Sequence, residues 1–262
     1  MGTTITFKNL TIGYRSKHQL RAVASSIHAS LQEDKLTCLI GANGVGKSTL
    51  LRTLSGFQPP LDGEILIQDK PLSDYSAREL AQEIGVVLTN RMDTPQLSVQ
   101  EIIGIGRSPY TGFWGTLSSA DQKIVDEAIR QTGIQHLASR SITELSDGER
   151  QKVMIAKALA QQTSLIILDE PTAFLDFPSK VATLQMLRRL AREQHKSILL
   201  STHDVELALQ IADQLWLMEE NHLSIGTPKE LAEDGSLSRF IDRDGIRFDV
   251  EKMRVELSST FS

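Results

Sequence analysis

Several kinds of residue or segment are scarce in this sequence, and each scarcity excludes a class of protein. Cys38 is the single cysteine, so no disulfide can form within the chain, as fits a reducing compartment. Its place in the apolar stretch LTCLIG favours a small buried residue. No run approaches about 18 apolar residues, so no transmembrane segment is predicted. The first residues lack a basic stretch followed by an apolar one, so no secretion signal is predicted.

Basic residues are also in the minority. The sequence has 28 Lys and Arg against 33 Asp and Glu, a net charge of −5. Bulk charge therefore does not favour a polyanion, and no nucleic acid partner is predicted. The 262 residues suffice for one large domain or two small ones with a substantial core.

Short apolar runs that end in glycine or polar turns alternate with helical patterns. The apolar runs predict buried strands at 36–44, 63–69, 83–89, 164–171 and 197–204. The helical patterns lie at 47–55, 76–83, 98–106, 119–132, 149–161, 178–194 and 204–212. This alternation predicts a mostly parallel sheet with helices on both faces.

Four further segments depart from this alternation. TITFKNLTIGY and QLWLMEENHLSIG predict antiparallel hairpin strands, and the second turns at Glu220 and Asn221. Residues of about 90–160 show no strand pattern, so they predict a helical subdomain inserted into one domain of residues 1–240. In the extension 241–262, the alternation of GIRFDVEKMRVEL predicts a small hairpin.

The stretch GANGVGKST matches the phosphate-loop pattern G-x-x-x-x-G-K-[ST], between an apolar strand and an amphipathic helix. Its glycines let successive backbone N–H groups face a phosphate chain, and the helix adds its positive end. Lys47 can reach the β and γ phosphates, and the Ser48 hydroxyl can bind Mg²⁺. The alternative is a glycine-rich turn. The predicted phosphate-binding residues are Gly41, Ala42, Asn43, Gly44, Val45, Gly46, Lys47, Ser48 and Thr49.

Two further strands are predicted to deliver polar residues to the edge where ligands of α/β sheets bind. LIILDE ends in Asp169, which can hold magnesium through its water shell, and in Glu170, which can position or deprotonate an attacking water. LLSTHD carries His203 to the same edge, where we expect a γ-phosphate contact. A structural or merely solvated histidine is the alternative.

A serine precedes the amphipathic helix predicted in ELSDGERQKVMIAKALA. Ser146 can simply cap that helix by accepting a backbone N–H bond. Alternatively, the segment LSDG aims the helix N-terminus at an anion.

Taken in order, the phosphate loop, LSDGE, LIILDE and His203 resemble the ATP-binding subunit of ABC transporters over roughly residues 3–235. The resemblance implies an α/β fold: a P-loop NTPase core with a mostly parallel sheet, an N-terminal antiparallel β subdomain and an all-helical insertion. It implies ATP hydrolysis with Mg²⁺, in which Lys47, Glu170 and His203 are catalytic. Tyr14 matches the aromatic residue that stacks on adenine; a core or surface tyrosine is the alternative.

The family's signature LSGGQ corresponds to LSDGE here, and it implies a head-to-tail homodimer with two ATP molecules at the interface. The residues implied to contact ATP on the partner subunit are Ser146, Asp147, Gly148, Glu149 and, in the following loop, Asp176. Asp147 replaces the middle glycine and Glu149 the common glutamine. Asn90 replaces a glutamine that, in the family, binds Mg²⁺ and links the site to the membrane subunit. The asparagine side chain is one methylene shorter, so it reaches about 1.5 Å less far.

The segment IGRSPYTGFWGTLSSAD (105–121) resembles subunits that serve importers of ferric siderophores, haem and cobalamin. This implies a cytoplasmic ATPase, peripheral on the cytoplasmic face of the inner membrane. Its implied partners are two permease subunits and, through them, a substrate-binding protein. A soluble ABC ATPase acting on a protein assembly, such as the iron–sulfur scaffold system, is the alternative. A degenerate regulatory subunit is a third alternative. The intact phosphate loop, Asp169 and Glu170 argue against it.

Overall fold

The computed structural model describes residues 2–15, 19–88, 97–112 and 114–257. Its strands are β1 (Thr3–Arg15), β2 (Leu20–Gln32), β3 (Leu36–Gly41), β4 (Asp62–Ile67), β5 (Lys70–Pro71), β6 (Ile84–Val87), β7 (Leu165–Leu168), β8 (Ser197–Thr202), β9 (Gln214–Glu219), β10 (His222–Gly226), β11 (Ile246–Asp249) and β12 (Arg254–Leu257). Its α-helices are α1 (Lys47–Leu54), α2 (Ala77–Glu83), α3 (Val99–Gly104), α4 (Ser119–Thr132), α5 (Asp147–Ala160), α6 (Phe177–Glu193), α7 (Val205–Ile211), α8 (Pro228–Glu233) and α9 (Ser236–Ile241). Short 3₁₀ turns lie at Leu72–Asp74, Ile105–Arg107, Gln135–Leu137 and Ile142–Glu144.

A six-stranded sheet in the order β10-β9-β3-β8-β7-β6 forms the centre of the molecule. Strands β3, β6, β7, β8 and β9 run parallel to one another, and β10 returns antiparallel to β9. Glu219 pairs with His222, so the hairpin turns at Glu220 and Asn221 as predicted. The predicted α/β class with a mostly parallel sheet is confirmed.

A second, antiparallel sheet has the order β2-β1-β4-β5, which confirms the predicted antiparallel strands at the N-terminus. The apolar run at 63–69 belongs to this sheet as β4, not to the parallel one, because β4 pairs antiparallel with β1. Its burial is one-sided: Ile65 and Ile67 are buried, whereas Leu66 between them is not. Such alternation is typical of an antiparallel strand with one solvated face.

The central sheet separates two apolar cores, because side chains alternate along each strand. On β7, Leu165 and Ile167 belong to the core shared with α1 and the antiparallel sheet, whereas Ile166 and Leu168 belong to the core formed with the helices. The alternation also directs residues that follow β7. Asp169, two positions beyond Ile167, lies on the α1 side, where it receives a hydrogen bond from α1.

Helices α3, α4 and α5 pack on one another in the segment predicted to be a helical insertion. In the part of 97–160 that the structure describes, extended pairing is limited to a bridge between Ser98 and Ser141. Near the chain end, β11 and β12 pair as a hairpin that packs against α7 and α9. None of the helices described has the length and apolar character needed to cross a membrane.

Candidate nucleotide-binding site

The phosphate loop connects the end of β3 to the start of α1, and its backbone requires glycine. Gly44 and Gly46 have φ of 79° and 118°, which L side chains rarely adopt. A Cβ atom on Gly46 would lie 2.6 Å from Cγ1 of Val23. Gly46 is also the N-cap of α1, and no side chain caps this helix end. The first N–H groups of α1 therefore face the loop without a side-chain acceptor, as an anion site requires.

Lys47 lies across this loop. Its Nζ donates to the carbonyl oxygens of Gly41 at 2.8 Å and Ala42 at 3.1 Å, and the residue is 6% exposed. Burial lowers the pKa of the Lys47 ammonium, whereas the charges of Glu170 and Asp169 act in the opposite direction. The charges of both acids predicted from the sequence thus act on Lys47. When a nucleotide binds, the ammonium group can donate to phosphate oxygens in place of these carbonyl oxygens, because it already lies beside the loop.

Asp169 and Ser48 form the part of the site that fits Mg²⁺. Ser48 Oγ donates to Asp169 Oδ1 at 3.2 Å, and the residue Asp169 is 8% exposed. A carboxylate and a hydroxyl this close, beside the loop, are the hard oxygen donors that Mg²⁺ prefers. The residues present therefore fit the predicted metal. The third predicted metal ligand, Asn90, lies outside the described residues, and its role stays a prediction.

Glu170 and His203 meet at the ends of the adjacent parallel strands β7 and β8. His203 Nε2 and Glu170 Oε1 are 2.6 Å apart. Glu170 has a φ of 50°, a left-handed backbone conformation that is uncommon for a residue with a side chain. Both residues line a cavity of about 190 Å³, together with Lys180 and Asp204, which are joined by an ion pair of 2.6 Å. This cavity offers room for water next to a carboxylate that can accept a proton.

Tyr14 lies on β1 beside the phosphate loop. Its hydroxyl is 2.9 Å from Oγ1 of Thr49 in α1, and the residue is 54% exposed. A half-exposed ring next to the loop is available for stacking, so the predicted adenine contact remains a prediction consistent with this position.

Ser146 caps α5, which begins at Asp147, two residues before the predicted start. Ser146 Oγ accepts from the Glu149 N–H at 3.3 Å, and Glu149 Oε2 accepts from the Ser146 N–H at 2.9 Å. This is a complete capping box, so the capping role of Ser146 is present in the chain. The hydrogen bonds with Ser146 lower the pKa of the Glu149 carboxyl.

The unusual Asp147 of the signature segment pairs with a cation of its own helix. Its Oδ1 is 3.0 Å from Nη1 of Arg150, and both side chains are partly exposed. The negative charge therefore lies in the first turn of α5 with a partner, where the helix end also favours an anion. Gly148 follows within the same turn.

Asp176 caps the next helix, α6. Its Oδ1 accepts from the Ser179 N–H at 3.1 Å, and hydrogen bonding with Ser179 lowers the pKa of the Asp176 carboxyl. Two large apolar residues flank it: Phe174 is 83% exposed and Phe177 is 66% exposed. The contact with a partner subunit predicted for Asp176 stays a prediction, and this surface is apolar and accessible.

Sequence reasoning missed Ser201 and Lys180. Ser201 Oγ donates to Asp169 at 2.7 Å and accepts from the Glu170 N–H at 2.9 Å. Lys180 pairs with Asp204, the residue after His203. The available signal for Ser201 was a hydroxyl directly after the apolar run ILL, before the predicted His203. No local pattern marked Lys180, since its partner is 24 positions away.

The comparisons with known proteins assign the class. The family model described as ABC transporter matches residues 24–173, which is more than half of the chain. The chain therefore belongs to the ABC transporter family and is an ATP-binding subunit of that family, an ATPase.

Individual relatives cover most of the chain. An uncharacterized ABC transporter ATP-binding protein of Methanocaldococcus jannaschii is 38% identical over 90% of this chain and 80% of its own length. The ferric enterobactin transport ATP-binding protein FepC of Escherichia coli is 35% identical over 86% of this chain and 82% of its own length.

Solved structures agree with the fold. The structure of cbiO1 from Clostridium perfringens, part of the ABC transporter complex cbiONQ, has a TM-score of 0.78 and 28% identity, covering 91% of this chain and 94% of its own. A dimeric bacterial ABC transporter cassette has a TM-score of 0.73 and 25% identity, covering 85% of this chain and 98% of its own. These likenesses confirm the predicted P-loop ATPase fold.

Proposed function

We propose that this protein is the ATP-hydrolysing subunit of a binding-protein-dependent importer of a ferric siderophore, haem or cobalamin. The observation that carries the ATPase part is a connected set of contacts at one edge of the sheet: Ser48 of the phosphate loop bonds to Asp169, and Ser201 links Asp169 to the Glu170–His203 pair. The cargo class is supported by the likeness to the ferric enterobactin subunit FepC and by the segment 105–121.

The roles follow from where each group lies. The loop N–H groups and Lys47 bind the phosphates of ATP, and Tyr14 stacks on its base. Ser48 and Asp169 would hold Mg²⁺, with Asn90 as a further ligand. When bound, Mg²⁺ neutralises charge that develops on the phosphates. Glu170 orients the attacking water and accepts its proton.

His203 completes this arrangement, since it lies within hydrogen-bond distance of Glu170. It orients the carboxylate and contacts the γ-phosphate. Catalysis then consists of positioning the water in line and stabilising charge, as in other phosphoryl transfers.

The signature segment supplies the second half of each site. Ser146, Gly148 and the N-terminus of α5 would contact ATP bound to a second copy, with Asp147, Glu149 and Asp176 nearby. A head-to-tail pair with two-fold symmetry completes two identical sites. The dimeric cassette among the structural relatives supports this pairing. Closure and reopening of the pair would drive two permease subunits at the cytoplasmic face of the membrane, with a substrate-binding protein on the other side.

The first experiment is capture of the tagged protein from detergent-solubilised membranes, followed by mass spectrometry. A polytopic permease in stoichiometric amount is the expected result, and the genes next to it would narrow the cargo. Recovery with soluble partners alone would contradict the importer role and favour an ATPase that acts on a protein assembly. The Lys47→Ala variant is assayed for ATPase activity beside the wild type. This assay checks the ATP-binding site independently of the permease partner.

A further inference from the structure

A buried serine on β8 joins the two acids of the site. Ser201 has an exposed fraction of 0%, and its Oγ lies 2.7 Å from Asp169 Oδ1 and 2.9 Å from the Glu170 nitrogen. A serine hydroxyl carries one hydrogen and two lone pairs, so it can donate to the carboxylate and accept the N–H at the same time. One hydroxyl therefore bonds to two consecutive residues of the neighbouring strand end.

The strand register explains this position. Leu168 of β7 pairs with Leu200 of β8, so the next residues along, Asp169 and Ser201, lie side by side where the ladder ends. Ser201 also pairs with Leu39 of β3, which holds it from the other side. Because β8 lies between β3 and β7, its position is determined by hydrogen-bonded strands on both sides.

The contact with Glu170 coincides with an unusual backbone. With a φ of 50°, Glu170 adopts a conformation that residues with side chains rarely take, and such conformations persist where surrounding contacts hold them. The Ser201 hydroxyl binds the N–H of this residue, and the Glu170 side chain reaches His203 at 2.6 Å. Ser201 thus contacts the backbone that directs the carboxylate.

The contact with Asp169 is also at a functional atom. Asp169 Oδ1 accepts from Ser201 of β8 and from Ser48 of α1, so the same oxygen lies between two hydroxyls from different elements. Any displacement of Ser201 would change the orientation of this oxygen relative to the phosphate loop.

We propose that Ser201 is a positioning residue of the ATPase site, which holds the carboxylate of Asp169 and the backbone of Glu170 in the orientations that hydrolysis requires. This rests on the proposed roles of Asp169 and Glu170. Ser201 is buried behind them and acts through both. Its loss lowers the rate of hydrolysis while ATP binding by the loop persists.

The Ser201→Ala variant tests this, and Ser197→Ala is its matched control. Ser197 is a buried serine on the same strand, 2% exposed, and its hydroxyl lies 2.5 Å from Oγ1 of Thr4, at the end of β8 away from the site. We expect Ser201→Ala to lower kcat about tenfold to hundredfold, since small misplacements of reacting groups have effects of that size. We expect KM for ATP to change less than about threefold. Ser197→Ala should keep the wild-type kcat.

Two further measurements separate positioning from packing. Hydrogen exchange at the Glu170 amide should accelerate in Ser201→Ala and stay protected in Ser197→Ala, because only the former removes its acceptor. Ser201→Cys refills the space with a thiol, which is a weak donor and a weak acceptor. A positioning role predicts that kcat stays low in Ser201→Cys, whereas a packing role predicts that it recovers.

Wild-type kcat in Ser201→Ala, unchanged exchange at Glu170, or full recovery in Ser201→Cys would each overturn the proposal. Glu170→Gln is measured in parallel. If Glu170→Gln stays active, the proposed role of Glu170 itself fails. If Glu170→Gln is inactive while Ser201→Ala is normal, only the positioning role of Ser201 fails.

Discussion

At the scale of single residues, the site depends on hydrogen bonds between side chains from neighbouring strands and from α1. Glu170 and His203 are 2.6 Å apart, and their side chains are 30% and 42% exposed, so water can reach both. Asp169, in contrast, is 8% exposed, and its Oδ1 accepts from the hydroxyls of Ser48 and Ser201. The two consecutive acids therefore occupy different surroundings, which fits a proton acceptor beside a metal ligand.

Glu170→Gln retains the shape of the side chain but removes its ability to accept a proton. We expect ATP binding to persist and turnover to fall about 10²-fold to 10⁴-fold, the usual contribution of a general base. Steady-state ATPase assays with an equilibrium ATP-binding measurement check this. Glu233→Gln, in an exposed ion pair with Lys229, is the control and should keep full activity. Wild-type turnover in Glu170→Gln would exclude the proposed role.

Ser146 has both a local role and a proposed one, and a single substitution separates them. Aspartate can accept the capping hydrogen bond as serine does, but it cannot donate to Glu149 Oε2 as Ser146 Oγ does at 2.8 Å. Ser146→Asp should therefore lower the free energy of unfolding by about 1 kcal/mol and leave the protein folded. Its added charge would repel a phosphate of the partner's ATP, so ATPase activity should be lost.

Ser76→Asp is the matched control, because Ser76 forms the same capping box with Glu79 on α2. We expect Ser76→Asp to lose a similar amount of stability and to keep the wild-type activity, because Glu79 faces Ser76 in the same way. Urea unfolding and ATPase assays on both variants make the comparison. Retained activity in Ser146→Asp would leave Ser146 with the capping role alone.

At the scale of elements, a buried arginine connects the start of α4 to the end of α5. Arg107 is 4% exposed and bonds to Asp121 at the start of α4 at 2.9 Å. Its Nη1 also donates to the carbonyl of Ala160 at 2.8 Å, and its guanidinium lies 4.0 Å from the ring centre of Tyr110. The region 105–121 is thus attached to the helix whose N-terminus carries the signature segment.

The same contacts make stability depend on pH. Hydrogen bonds from Ser118 and Arg107 lower the pKa of Asp121 to about 2, below its unfolded value. A carboxyl with a lowered folded pKa stabilises the fold above its unfolded pKa, and that stabilisation is lost as the pH falls through the folded pKa.

We therefore expect Asp121→Asn to be destabilising at about pH 6, with a difference from the wild type that narrows as the pH falls from about 4 towards 2. Urea unfolding across this range measures it. Asp126→Asn, an exposed position further along α4, is the control. A difference that stayed constant down to the lowest pH would contradict the contribution of the Asp121 charge.

At the scale of the whole molecule, the proposed dimer would bring a second copy onto the face that carries the phosphate loop. Phe174 and Phe177 flank Asp176 and are largely exposed, and Phe174 has a φ of 65°. Burying a phenylalanine contributes about 2 kcal/mol, so these residues are well suited to stabilise a pair.

We expect the Glu170→Gln protein to accumulate as an ATP-bound dimer, because it should bind ATP without hydrolysing it. Phe174→Asp, introduced into that protein, should prevent the dimer. Replacing an apolar contact by a charge weakens association by about thirtyfold or more. Light scattering after size-exclusion chromatography with ATP measures the mass. Phe57→Asp is the control, since Phe57 is 58% exposed but lies beyond the C-terminal end of α1, away from the loop. If the dimer still forms in the Phe174→Asp variant, Phe174 does not contribute to the dimer interface.

Local patterns in the sequence determined where several strands and helices and the phosphate loop form. Strand β3, the glycine loop and α1 follow from residues next to one another, because backbone conformation and capping depend on near neighbours. Helix α4 lies where its periodicity predicted it. Residues in the loop and at the strand ends were therefore identifiable as candidates, and the order of the motifs indicated the family.

Tertiary structure alone decided which of these groups touch. Ser201 meets Asp169, and Lys180 meets Asp204, only because β7, β8 and α6 lie side by side, and pairings across 32 and 24 positions leave no local pattern. The antiparallel placement of β4 was decided in the same way, by the strand available beside it. Strand order is set by burial summed over the whole molecule, so single segments carry little information about it.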